Sequence, residues 1–373
     1  MRRALRWVLD HPVLVVRLAA AAVALGRIAG AARRRPPLVA GADVAGPRLL
    51  DEPVTISVVV PARDEAERIG PLLAAVVGAP GVGEVIVVDD QSTDATVAVT
   101  EAAGATVVPG APLPPGWAGK AWALQQGIER ATGAWIVTLD ADTRPSSELP
   151  LALVSRARSD GLRFVTVGGR FDCPTAGARW LHPAMLTTLV YRFGPAGRAG
   201  YVPPHRQLAN GQCMAFERHG FLDTGGMEPV AAEVVEDVAL ARSLATRGWP
   251  VAMLDGPSLL TTRMYESLGE TWRGWGRSIA LPGVEPTWRQ VLDLLVVVSA
   301  QALPLPRLLL GRGDPLDAAL LLVRLGTLAG TAQAYEYPDA AYWLSPLADM
   351  PAAVALAGGI VRRRQRWRGR SYG

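Results

Sequence analysis

Residues 134–142 read AWIVTLDAD, and the fold follows from what this stretch can form. Trp135, Ile136, Val137 and Leu139 make an apolar run of strand length, closed off by Gly133 on one side and Thr143-Arg144-Pro145 on the other. A buried strand is expected here. Two carboxylates, Asp140 and Asp142, follow at its C-terminal end with Ala141 between them. In extended chain, residues i and i+2 point to the same side, so both acids can reach one divalent cation and the phosphates it carries. Taken alone, such a pair is as well explained by an Asp-rich turn after a strand.

The pattern recurs upstream. Residues 54–60 (VTISVVV) run into Pro61-Ala62-Arg63-Asp64-Glu65, and residues 84–88 (EVIVV) into Asp89-Asp90-Gln91-Ser92-Thr93-Asp94. Three strands that each end in acid put like charges on one edge of a parallel sheet, where they raise one another's pKa unless a cation or a polyhydroxy ligand relieves them. That edge is where open α/β sheets bind ligands. Helices are expected at 65–77, 94–103, 119–131 and 146–158 and further strands at 105–108 and 164–167, the alternation of a doubly wound, mostly parallel sheet. Thr93 and Ser146 supply N-cap chemistry to two of these helices.

Half of the 373 residues are hydrophobic and the mean hydropathy is +0.20, too apolar for an ordinary soluble enzyme. The net charge of +4 comes with arginines clustered near the ends: Arg2, Arg3, Arg6 and Arg33 to Arg35, then Arg362 to Arg364, Arg366, Arg368 and Arg370. A nucleic-acid binder would spread such charge over a folded face. Basic clusters flanking apolar runs read instead as anchoring ends facing anionic lipid. Cys173 and Cys213 have no metal or disulfide spacing and read as reduced thiols.

An anchor at residues 1–32 is expected, uncleaved because Arg17 and Arg27 interrupt what could otherwise pass for a signal peptide. A proline-bearing linker (33–53), a catalytic domain (54–285), membrane helices (286–363) and a basic tail (364–373) follow. Residues 181–200 read as a membrane-facing amphipathic helix, with a core helix as the alternative. Blocks at 291–310, 316–334 and 341–361 each have the length of a crossing. The acidic loop 335–339 then faces out and the arginine-rich flanks face in, making the chain multi-pass with a cytosolic catalytic domain. Arg324 and Asp349 fall at equal depth on either side of that loop and are expected to pair.

In order and spacing, VVPARDE (59–65), VVDDQSTD (87–94), Gly119-Lys120 at a helix start, LDAD (139–142) and VVEDVALA (234–241) resemble the family 2 glycosyltransferases with a GT-A fold. GWAGKAWALQQG (116–127), ANGQCMAF (209–216) and YWLSPLAD (342–349) are similar to the membrane-bound enzymes that glycosylate carotenoid acids and to the hopene-associated glycosyltransferases. The resemblance implies an inverting, metal-dependent enzyme that moves a sugar from a nucleotide sugar, a UDP-sugar, to a lipid or isoprenoid acceptor at the cytosolic membrane face. It implies that Asp142 contacts Mg2+ or Mn2+ with Asp140 beside the sugar or ribose, that Asp64, Glu65 and Asp90 hold the nucleoside, and that Asp237 rather than Glu236 is the general base.

Lys120, the only lysine in the sequence, stands at a helix start where N–H groups and the dipole attract phosphate, so it is expected on the diphosphate. Asp89 and Asp94 are expected to cap the following helix. The family's closing motif is altered to Arg273-Gly274-Trp275-Gly276-Arg277, which leaves the roles of Arg273, Trp275 and Arg277 unassigned. Two rival readings remain. A polyprenyl-phosphate sugar synthase would draw its positive charge from Arg192 and Arg198; a catalytically inactive membrane scaffold would tend to have lost the metal and base carboxylates present here.

Overall fold

Trp135 to Leu139 form strand β4 (Trp135–Leu139), buried along its whole length at the centre of a seven-stranded sheet. The computed structural model describes residues 12–41, 54–361, 365–367 and 370–372. Arg2, Arg3 and Arg6, residues 42–53 of the expected linker, and Arg362, Arg363, Arg364 and Arg368 of the basic tail lie outside the described residues.

The sheet runs in the order β3 (Thr106–Pro109), β2 (Val82–Asp89), β1 (Ile56–Ala62), β4, β8 (Cys213–Glu217), β6 (Phe164–Gly168) and β9 (Val251–Asp255). β8 is antiparallel to both neighbours and every other pairing is parallel. β1, β2 and β4 therefore deliver their acid-bearing loops to one edge, as the sequence pattern requires.

Side-chain alternation along β1 feeds a core on each face of the sheet: Val58 and Val60 join Leu72 and Leu153, while Val59 joins Leu124, Ile128 and Phe216. Helices α2 (Gly70–Val76), α3 (Thr96–Ala102), α4 (Gly119–Arg130) and α5 (Leu149–Ser159) cover these faces. At Gly127 a Cβ would stand 2.4 Å from Val59 Cγ1, so α4 packs this close only because no side chain intervenes.

The helix starts differ from the sequence pattern in two places. Residues 65–69 make turns closed by N–H groups of Arg68 and Ile69 on the Glu65 carbonyl, which delays α2. Ahead of α3 the capping group is Asp94, whose carboxylate accepts from the Thr96 N–H at 2.9 Å; Thr93 donates to Asp64 instead. Ser146 Oγ accepts from the Glu148 N–H at 3.3 Å, in the turn that leads into α5.

A second sheet, β5 (Thr143–Pro145), β10 (Leu260–Arg263) and β7 (Arg170–Asp172), begins directly after Asp142 and pins the acid loop. Chain segments α7 (Arg218–Asp223) and α8 (Glu236–Thr246) follow β8.

A helical layer is built from α1 (Pro12–Ala29), α6 (Ala176–Phe193), α9 (Leu268–Ser278), α10 (Thr287–Val297), α11 (Pro304–Leu309), α12 (Pro315–Thr331), α13 (Ala340–Trp343) and α14 (Asp349–Val361). The expectation of a membrane-facing helix at 181–200 is corrected here. α6 is the core of this layer, enclosed by α1, α9, α10 and α14, with Leu181, Met185 and Tyr191 buried. Its apolar residues go all round, as in a helix surrounded by protein.

The three candidate C-terminal blocks do not form alike. Only the middle block makes one long helical unit, residues 315–334. The first is split into α10, a π-turn (Val298–Ala302) and α11, where Pro304 and Pro306 cannot continue the hydrogen-bond ladder. The third starts as the four-residue α13 and a 3-10 turn before α14. Among the described residues, α1 and residues 315–334 are long and apolar enough to cross a membrane.

Buried ion pairs hold the layer together. Arg324 Nε lies 2.8 Å from Asp349 Oδ2, the pairing expected from their equal distance to the loop; Arg324 also donates to Ser345, and Gln301 donates to Asp349. Arg17 of α1 binds Asp314 and Asp317 at the start of α12, and Arg27 lies 2.9 Å from Asp293 on α10.

Candidate active site

A cavity of about 610 Å³ opens at the acid-bearing edge of the sheet, a size suited to a nucleotide-sized ligand. Glu65 and Asp90 from the ends of β1 and β2, Asp140 and Asp142 after β4, Lys120 of α4, and Glu236 and Asp237 of α8 all line it. Residues from five separate stretches of sequence thus meet in one place.

Lys120 is the hub. Its Nζ lies 2.8 Å from Asp140 Oδ1 and 2.9 Å from Glu236 Oε1, and it donates to the Gly211 carbonyl at 3.3 Å. Burial alone would lower its pKa, but Asp140 and Glu236 more than reverse that, so the ammonium keeps its proton. The sequence reading put Lys120 on a phosphate; the structure gives it two carboxylates at the mouth of the same pocket.

Asp237 is held by backbone. Its Oδ2 accepts from the Gly211 N–H at 2.7 Å and its Oδ1 from the Val238 N–H at 2.8 Å. Burial and the neighbouring Glu236 push its carboxyl up to about 7, against the pull of Lys120. A carboxylate with that affinity is well matched to taking a proton near neutrality. Gly211 leaves little room for a side chain, since a Cβ would meet Lys120 Nζ at 3.1 Å and Asp237 Cβ at 3.2 Å.

Glu65 is buried and paired with Arg68 at 2.8 Å, and Asp90 faces Arg63 at 3.6 Å. Asp64 stands apart: it is exposed, adopts φ 53, and its carboxylate accepts from the Thr93 N–H at 2.7 Å and hydroxyl at 3.1 Å. It is not among the residues lining the cavity and fixes the two loops to each other. Asp89 closes the turn at Ser92, accepting from its N–H at 3.3 Å, and Asp94 caps α3.

Two carboxylates on a rigid strand end make a hard-oxygen donor set of the kind that divalent cations use. Burial raises the Asp142 carboxyl above the usual carboxylate range, and Asp140 and Glu65 raise it further. Lys120 answers the charge of Asp140, so the unmet demand for a cation falls on Asp142. Among the described residues no group of three or more His, Cys, Asp or Glu could enclose a metal ion, so phosphate oxygens and water would have to complete the coordination.

The cavity wall is also in part apolar, with Phe171, Leu186, Leu189, Met264, Trp275 and Ile279. His182, fully buried behind this wall, packs against Phe171 and Trp275 with ring centroids 4.6 and 4.7 Å away, and its Nδ1 shares a 2.8 Å hydrogen bond with the Tyr335 hydroxyl. Burial pushes its pKa down to about 3, so the ring is neutral.

Sequence reasoning missed Gly211, Arg68 and Tyr265 as lining residues, and left Trp275 and Arg277, which also line the cavity, without a role. The stretch 209–216 had been noticed for its resemblance alone. Nothing in it announces that a glycine will touch both Lys120 and Asp237.

Residues 57–222 match the family described as Glycosyl transferase family 2. The 4,4'-diaponeurosporenoate glycosyltransferase of Staphylococcus aureus (strain MRSA252) is 28% identical over 228 residues, 58% of this chain and 59% of that protein. The enzyme of the same name from Staphylococcus haemolyticus (strain JCSC1435) is 24% identical over 250 residues, 65% of each. The chain thus aligns with less than two thirds of the length of these curated relatives. Among solved structures, a mycobacterial protein matches with a TM-score of 0.41 at 26% identity, covering 61% of this chain and 73% of its own. Glucosyl-3-phosphoglycerate synthase from Mycobacterium tuberculosis, in complex with Mn2+, UDP and glucosyl-3-phosphoglycerate, matches with a TM-score of 0.41 at 22% identity, covering 66% and 83%.

Proposed function

Because this chain carries a family 2 glycosyltransferase domain, we propose that it moves a sugar from a nucleotide donor, a UDP-sugar, to the hydroxyl or carboxyl end of an apolar lipid or isoprenoid at the cytosolic membrane face, with inversion. The observation that carries this reading is the cavity itself, whose lining offers two kinds of surface: acids with Lys120, and aromatic and aliphatic side chains. A nucleotide sugar suits the first and an apolar chain suits the second. The names of the curated relatives, built on a carotenoid carboxylate, fit such an acceptor.

In this mechanism Glu65 and Asp90 accept hydrogen bonds from the nucleoside. Asp140 and Asp142 would hold Mg2+ or Mn2+, which neutralises the departing diphosphate when bound. Lys120 keeps Asp140 and Glu236 in register across the pocket. Asp237 takes the proton of an acceptor hydroxyl as its oxygen bonds to the anomeric carbon and the bond from that carbon to the phosphate oxygen breaks. One displacement of this kind inverts the anomeric centre.

The membrane is supported by where apolar surface lies. Of the exposed large apolar side chains, all but Val39, Tyr201 and Leu268 belong to α1 or to residues 288–361. A soluble monomer seldom gathers so much apolar surface on one layer. α1 and residues 315–334 have the length to cross.

The polyprenyl-phosphate reading loses ground, since neither Arg192 nor Arg198 lines the cavity. The inactive-scaffold reading has to explain why Glu65, Asp90, Asp140, Asp142, Glu236 and Asp237 meet there with the lone lysine. The test compares lipid extracts of cells expressing the chain and its Asp237→Asn variant. A hexose-sized mass gain present in the first and absent from the second is expected; identical extracts would count against the proposal.

A further inference from the structure

Helix α10 leaves an apolar stripe about half exposed. Trp288, Val291, Leu292 and Leu295, at i, i+3, i+4 and i+7, are between 44% and 60% exposed, while Gln290, Asp293, Val296 and Val297 face inward. The other side of the same helix and the turn before it carry an excess of positive charge. Arg27, Arg192 and Arg206 approach the buried Asp293 at 2.9, 3.6 and 3.5 Å, and Arg242 and Arg289 approach the buried Glu285 at 2.6 and 4.0 Å. Five guanidinium groups share two carboxylates. Arg206 and Arg289 keep more than a quarter of their side chains exposed, and the Arg289 guanidinium lies 5.0 Å above the Trp288 ring, at the edge of the stripe.

We propose that this face of α10 lies in the bilayer surface, with Trp288, Val291, Leu292 and Leu295 among the acyl chains and Arg206 and Arg289 on the phosphates of anionic headgroups. The chemistry is that of an interfacial amphipathic helix: apolar side chains along one stripe, a tryptophan at the boundary, and arginines beside it. A second copy of this chain covering the stripe would have to meet the same unbalanced arginines, and like charges across such a contact repel. An anionic lipid surface meets both the apolar stripe and the surplus charge. The inference rests on the membrane reading of the proposed function and adds to it which surface touches lipid. With α10 in the interface, the apolar part of the cavity wall, with Leu189 and Ile279 from helices packed on this layer, sits close to the acceptor's own solvent.

The test places a nitroxide on Leu292→Cys and, as a reference, on Glu101→Cys of the sheet domain, in the full chain reconstituted with vesicles. Cys173 and Cys213 are buried and stay unlabelled. No donor or acceptor is needed, so the outcome does not depend on the catalytic assignment. The expected result is a label at 292 relaxed more by oxygen than by a water-soluble nickel chelate, and the reverse at 101. Phosphatidylglycerol added to phosphatidylcholine should increase the lipid-exposed fraction at 292, by roughly fivefold for each arginine engaged. Arg206→Gln with Arg289→Gln should abolish that increase, and Arg289→Lys should retain it.

A label at 292 as open to nickel as the one at 101 overturns the inference, and so does one shielded from both reagents and broadened by a second spin. Indifference to phosphatidylglycerol overturns the headgroup half. A chain that stays in the supernatant overturns the membrane reading along with it, whereas one that sediments with a wet label overturns this inference alone.

Discussion

Lys120 Nζ stands 2.8 Å from Asp140 Oδ1, tying the first turn of α4 to the acid loop after β4. The same ammonium reaches Glu236 at the start of α8, so one positive charge sits among the donor-side acid, the α8 acid and the candidate base beside it.

Removing that charge should be felt at Asp237, because Lys120 lowers the Asp237 pKa while burial and Glu236 raise it. In Lys120→Gln the acid limb of the kcat/KM profile is expected to move to higher pH by about one unit, a tenfold loss at a fixed acidic pH. An unmoved limb, measured with a hydroxyl acceptor, would mean that the two groups are not coupled.

Asp237→Asn should lower turnover by at least about 100-fold. It should also stabilise the protein on the alkaline side. A carboxyl whose folded pKa is raised to about 7 costs stability once it ionises in the fold. The cost is complete above that pH and vanishes below the ordinary carboxylate pKa. Thermal unfolding should show the variant melting above wild type at about pH 8, with the gap closing as the pH falls through 7. A variant that melts lower at every pH would show the carboxylate to be structural.

Asp142→Ala should leave the fold intact, since it removes a charge that burial already disfavours rather than a packing group. Binding of UDP measured calorimetrically with Mn2+ should weaken, and the difference between Mn2+ and chelator seen with wild type should disappear. Retention of that difference would move the cation elsewhere.

For the buried pair, Arg324→Leu or Asp349→Leu alone should cost about 3–5 kcal/mol, because each strands its partner's charge. The double variant should recover most of this, since a hydrophobic replacement of both partners is often neutral. Detergent-solubilised protein unfolded by heat gives the comparison, and additive losses would contradict it.

How far the sequence could be read depended on whether the signal was local. Asp140 and Asp142 were legible as an acid pair following a buried strand, but not as an extended pair: β4 stops at Leu139, and the Thr143 N–H on the Asp140 carbonyl at 3.0 Å closes a turn through Ala141 and Asp142. Arg324 and Asp349 were legible because both could be counted from one loop. Lys120 was legible as a special position but its partners were not, since Glu236 and Gly211 reach it from about a hundred residues away. For Asp64 nothing in the sequence signalled its φ of 53 or its bonds to Thr93, which depend on a loop about thirty residues away. α6 was misread because an apolar helix looks the same in sequence whether lipid or protein surrounds it.

The central claim, sugar transfer from a nucleotide to an apolar acceptor at this cavity, is tested most directly by radiolabel. Detergent-purified protein is supplied with a labelled UDP-sugar, Mn2+ and a long-chain isoprenoid bearing a hydroxyl, and the organic-extractable counts are followed over time. Wild type is expected to carry label into the organic phase and Asp237→Asn to carry at least about 100-fold less. Organic-phase label that is equal in the two proteins, or label that appears only in water-soluble products, would contradict the account.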